Sequence, residues 1–167
     1  MDPRTKDSEP AVRKQFELAL QVNDRISQLH QAVNEIRDLK SQIKNLHARF
    51  SQDERLKPAL AAADDLDHKM SDVEKELIQV NMKGSEGNLA FPSMLNERFD
   101  AFSHFIDAGD STEPTKPQLE VFQTLNGQLD EQLKKWTQIK SESVPKVSEL
   151  VKQANLPALM IWQKKMD

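Results

Sequence analysis

A chain of 167 residues with 30% charged side chains and a formal net charge of −4 is long enough to bury about two thirds of its unfolded surface without covalent staples. It has no Cys, which excludes disulfides, thiolate chemistry and Cys-ligated zinc, and its slight acidity is the opposite of the basic footprint that nucleic acid binding uses. Tyr is absent and Val and Ile are scarce outside a few stripes, so the composition favours an all-α fold over a sheet.

From Ala11 to Lys57 the chain contains neither Gly nor Pro. Through this run pass Leu18, Val22, Ile26, Leu29, Val33, Ile36, Leu39, Ile43, Leu46 and Phe50, at spacings of three and four. That periodicity predicts one long amphipathic helix over about 9–51, started by Ser8 as a cap and Pro10 in the first turn. At ~1.5 Å per residue such a helix is about 60 Å long and needs equally long partners. Ser51, Gln52, Asp53 and Pro58 mark a turn, after which Leu56, Leu60, Ala63, Leu66, Met70, Val73, Leu77 and Val80 predict a second helix over 54–83. Residues 11–51 carry seven positive and four negative side chains, residues 53–83 five positive and eight negative. A short connection makes the two helices antiparallel, so their charges are expected to pair with each other.

Gly84 to Asn88 reads as a loop dividing the chain into two helical hairpins. Ser93 is the expected cap of a third helix over 93–108, with Leu95, Phe99, Phe102, Phe105 and Ile106 as its apolar positions. After a loop containing Pro114, Pro117 opens a fourth helix over 117–153 bearing Leu119, Phe122, Leu125, Leu129, Leu133, Trp136 and Ile139. Gly127 is expected to allow close approach of a neighbouring helix, or else to act as a hinge. Pro145 should kink or restart the helix near Val144, before Val147, Leu150 and Val151. The reading is therefore an elongated antiparallel bundle of about four helices over 9–155, preceded by a junction at 1–8. It is followed by an apolar tail, 156–167, in which Leu156 to Trp162 suits either a segment folded back over the bundle or a docking peptide.

Chemistry is sparse along this chain. His30, His47, His68 and His104 belong to no HExxH or other compact ligand cluster, and the trio Asp64, His68 and Asp72 shares a helix face on which acidic residues are common. Asp100 and His104 form a comparable pair. No GxSxG, Walker loop or GxGxxG occurs, and although 27 acidic residues leave carboxylate pairs open by number, nothing in the sequence shows the apolar or like-charged setting that acid–base catalysis requires. Accordingly no catalytic, cofactor-binding or metal-binding residue is assigned, no cofactor is expected, and neither nucleic acid nor membrane insertion is expected. No window approaches the length of an apolar membrane span, and the first residues lack the order of a signal peptide, so for an exported protein the signal would lie outside this sequence.

The order of features carries one resemblance. Met1-Asp2-Pro3-Arg4 leads into a long helix with Gln15-Phe16 early in it, Leu95-Asn96 opens the third helix, and the loop Gly109 to Gln118, GDSTEPTKPQ, precedes a helix with Leu125, Leu129 and Trp136. Over residues 1 to about 155 this resembles the C-terminal helical domain of bacterial sortilin-like or BNR-repeat (Asp-box) glycosyl-hydrolase-type proteins. The resemblance implies a preceding β-sandwich ending near Met1, an exported parent with a β-propeller, and a periplasmic, cell-surface or secreted location. It implies as partners the parent's own β-domains, with the monomer favoured. No Asp-box repeat is present, so no catalytic residue of that family transfers, and the tail from Leu156 to Asp167 does not match the pattern. The expected function is a non-catalytic accessory or interaction domain. The alternatives are a stand-alone scaffold that self-associates through the first helix, and a glycan-binding contribution to a hydrolase parent.

Overall fold

The computed structural model describes residues 8–82, 90–107 and 113–155. Four α-helices account for most of them: α1 (Glu9–Phe50), α2 (Lys57–Leu77), α3 (Leu95–Asp107) and α4 (Lys116–Gln153), with a short 3-10 turn at Glu54–Leu56 between α1 and α2. The protein is all-α, as its composition predicts, and no strand occurs among the described residues.

Helix α1 begins as expected, with the Ser8 hydroxyl accepting the Ala11 amide at 3.3 Å and Pro10 where no amide hydrogen is needed. Its stripe is the core. Leu18, Val22, Leu29, Val33, Ile36, Ile43 and Phe50 are buried, with Ile26, Leu39 and Leu46 half-buried against them. Cross-links fix the direction of each neighbour. Arg37 and Lys40 reach Glu74 while His47 reaches Asp64, so α2 runs antiparallel to α1, through the charge complementarity its sequence carries. His30 meets Asn96 and the Gln15 amide donates to the Ile106 carbonyl, so α3 is antiparallel to α1 as well. Arg25 pairs with Asp130 and Lys140 with Glu35, so α4 runs parallel to α1.

Together these registers make a three-helix cross-section whose middle helix is interrupted. α2 lies along the C-terminal half of α1 and α3 along its N-terminal half. The last turns of α2 and the first turn of α3 flank the same stretch of α4, where Asp72, Lys75, Leu95, Arg98, Gln128 and Lys135 border one groove. The chain thus leaves this rod after Leu77 and rejoins it at Leu95. The two flanking stretches are tied by the Gln79 side-chain amide, which donates to the Pro92 carbonyl at 2.9 Å. Fully buried Leu29, Met70, Leu77, Phe99, Leu129 and Trp136 run through the middle of the rod, each contributing about 1.5–3 kcal/mol of transfer free energy.

Several boundaries depart from expectation. The second helix stops at Leu77 rather than 83. Ile78 turns extended and Val80, although at stripe spacing, is 47% exposed, because the chain leaves the rod after Leu77 and α3 takes over the core position. The third helix is capped at Met94, not Ser93. The Met94 carbonyl accepts the Arg98 amide at 3.0 Å and the Glu97 carboxylate accepts the Met94 amide at 2.9 Å. Phe105 is exposed while Leu95, Phe99, Phe102 and Ile106 are buried, and the Phe102 ring stacks against Phe122 with centroids 6.1 Å apart. α4 opens on a capping box between Thr115 and Gln118 and runs without a restart through Pro145 to Gln153. Nor does Gly127 admit a close neighbour: a Cβ there would meet nothing within 4 Å. The expected loop at Gly84–Asn88, the Gly109–Thr112 stretch of the motif loop, the Met1–Arg4 junction and the tail from Leu156 lie outside the described residues.

Candidate functional site

Among the described residues the titratable groups form pairs, between helices or along one helix, rather than a converging cluster. Asp64, His68 and Asp72 do not assemble. Asp64 lies 2.9 Å from His47 and Asp72 pairs with Lys75 at 2.7 Å. Asp100 and His104 stand 3.8 Å apart on an exposed face, and His30 bonds Asn96 at 2.7 Å. Among the described residues no group of three or more His, Asp or Glu is placed to hold a metal ion.

Two carboxylates absent from the expected set organise the interior edges. Glu74, 6% exposed on α2, accepts from Arg37 Nε at 2.9 Å and from Lys40 Nζ at 2.7 Å. Burial pushes its pKa up, but the bonds and charges of Lys40 and Arg37 outweigh this and hold it below its usual value. Glu35 on α1 accepts from Lys140 Nζ and from the Trp136 indole N–H, both at 2.8 Å, and the Lys140 bond leads in lowering its pKa. Trp136 is a core residue, 2% exposed, with its polar edge satisfied at the α1–α4 seam. Glu35 and Glu74 were hidden in the sequence among ordinary helical acids. For Glu74 the only available signal was the excess of acid on α2 facing the excess of base on α1, and nothing in the sequence marked Glu35, whose partners Trp136 and Lys140 lie on α4.

A hydrolytic general acid must keep its proton near neutrality. The resolved shifts of Glu35, Asp53, Asp65, Asp72, Glu74 and Glu131 all go the other way, each because a Lys or Arg donates to the carboxylate.

What remains are surface grooves along the helix seams. The groove over the α2–α3 junction has a volume of about 500 Å³ and is edged by paired charges, including Asp72 with Lys75 and Glu131 with Lys135. Gln132, 8% exposed, lines it, and its Oε1 has no hydrogen-bond partner among the described residues. A second groove, of about 450 Å³, lies between the N-terminal turns of α1 and α4, where Lys14 pairs with Glu113 beside Leu18 and Phe122. A third, of about 330 Å³, follows the α1–α4 seam at the opposite end. Its walls are Leu39, Gln42, Ile43 and Leu46 on one side and Val144, Val147, Ser148 and Val151 on the other. No described helix is long and apolar enough to cross a membrane.

Comparison of the chain with protein-family models, with curated proteins and with solved structures returned no match. The fold and its braces define an elongated helical bundle with grooves at its seams.

Proposed function

We propose that this chain is a non-catalytic helical accessory and interaction domain, a rigid rod that projects one of its ends away from the protein joined to the other. The observation that carries this reading is the parallel course of α1 and α4, fixed by the Arg25–Asp130 and Glu35–Lys140 pairs. With these two helices parallel, the chain enters the rod at one end and leaves it at the other. The 42 residues of α1 set that separation at about 60 Å, at ~1.5 Å per residue. The parent we propose is an exported sortilin-like or BNR-repeat glycosyl-hydrolase-type protein, supported by the GDSTEPTKPQ loop and by Met1-Asp2-Pro3-Arg4 leading into a long helix. The coding sequence upstream of Met1 tests it. An in-frame β-propeller with Asp-box repeats supports this parent, and an in-frame stop codon overturns it.

A second reading, a scaffold that self-associates through α1, is favoured by Phe16 and Leu20. They are 62% and 47% exposed and one helical turn apart. Light scattering distinguishes the two. A dimer that Phe16→Glu dissolves supports the scaffold, and a monomer at high micromolar concentration supports the rod.

A further inference from the structure

Beyond Trp136, no described residue of α4 is fully buried. Val144, Val147, Leu150, Val151 and Ala154 remain half-covered, as do Leu39 and Leu46 facing them on α1, so this end of the rod carries an apolar seam that the four helices leave open. The seam groove between Leu39 and Leu46 on α1 and Val144 and Val151 on α4 starts within a turn of the point where α4 ends. There the helix stops. Asn155 adopts φ 48°, in the left-handed region, and its amide bonds the Lys152 carbonyl at 3.0 Å. The next seven residues are Leu156-Pro157-Ala158-Leu159-Met160-Ile161-Trp162, every one apolar.

From this we propose that the α1–α4 seam groove is the docking site for the chain's own segment Leu156–Trp162. Reach is ample. The groove from Val151 back to Val144 is about 10 Å long at ~1.5 Å per helical residue, whereas seven residues can extend to about 23 Å at ~3.3 Å each. Its lining is apolar, matching an apolar occupant, and a large exposed apolar segment is costly on a soluble surface. Charge agrees with this direction. Past the groove, back along α1, lies Asp38, while Lys164 and Lys165 follow Trp162.

Trp162 itself reports the docking, because Trp136 is the only other tryptophan and is buried. The difference in emission and acrylamide quenching between the full chain and its Trp162→Phe variant isolates Trp162. The expected result is a blue-shifted, shielded Trp162. Ser148→Arg and Gln42→Arg, at exposed positions on the two groove walls, should each abolish the shielding without unfolding the bundle. Circular dichroism verifies that the fold survives, and either variant alone suffices if the other fails to fold. A Trp162 quenched like a free indole in the unmodified chain overturns the proposal. So does shielding that both groove variants leave intact, or shielding that develops only as protein concentration rises, which would place the segment on a second copy.

Discussion

Replacing Gly127 by Ala should stabilise the protein, and the size of the gain follows from what the structure removes from consideration. Gly in a helix interior is retained for a positive φ, for a backbone approached closely by a neighbour, or for a hinge. Gly127 is an interior residue of the 38-residue α4, no glycine among the described residues has a positive φ, and a Cβ there meets nothing within 4 Å. The remaining term is helix propensity, which favours Ala over Gly by about 0.8–1.0 kcal/mol, chiefly through the lower entropy of the unfolded chain. For a chain of this size, 1 kcal/mol raises Tm by roughly 2–4 °C. Gly127→Val should gain less than Gly127→Ala, because its branched side chain is a poorer helix former. Thermal and urea unfolding followed by far-UV circular dichroism measure both, with the urea slope expected to stay constant. A midpoint that is unchanged or lowered by Gly127→Ala would refute this reasoning and restore the hinge.

Three further predictions concern the braces and the proline. Pro145→Ala should raise stability by about 1–3 kcal/mol in urea melts, because α4 already continues through Pro145 and the variant regains the amide bond to the Ser141 carbonyl. Glu74→Gln should cost about 1–2 kcal/mol at neutral pH, since it weakens two charge-assisted bonds whose cations keep partial contact with water. The Glu74 pKa is lower in the folded chain than its ordinary value of 4.5, so its contribution is complete above about that pH and fades as pH falls through the lowered value. The gap between the parent chain and Glu74→Gln should therefore close in melts at progressively more acidic pH; a gap that widens there contradicts the pairing. In a double-mutant cycle, Trp136→Phe and Glu35→Gln should show a coupling of about 1 kcal/mol, reflecting the 2.8 Å indole bond, and additive effects would count against it.

Periodicity made the helices legible almost to the residue where local chemistry ends them. Ser8 and Pro10 start α1 and Pro117 sits in the first turn of α4, as the sequence predicts, whereas the Thr115–Gln118 capping box that begins α4 emerged only from the structure. It misjudged the end of α2 because Val80 continues the spacing, whereas the helix actually stops where α3 claims the core. That is a tertiary decision with no local mark beyond the Gln79–Pro92 tie. The interrupted middle helix was hidden for the same reason. Two successive hairpins and one broken rod have identical periodicity, and only cross-links such as Gln15 to Ile106 and Arg37 to Glu74 distinguish them. Gly127 read as a close approach because glycine is ambiguous without neighbours. The open seam between α1 and α4 could not be read at all, since half-buried Val144, Val147 and Val151 carry the same pattern as a complete core.

The parallel course of α1 and α4 also determines how the rod would respond to tension. A pull on Ser8 against a pull on Ala154 draws these two helices past one another lengthwise. In that shear geometry the Lys14–Glu113, Arg25–Asp130 and Glu35–Lys140 pairs, together with the core between them, bear the load at the same time. Helices whose pulled ends lay side by side would instead peel open, losing their contacts in succession.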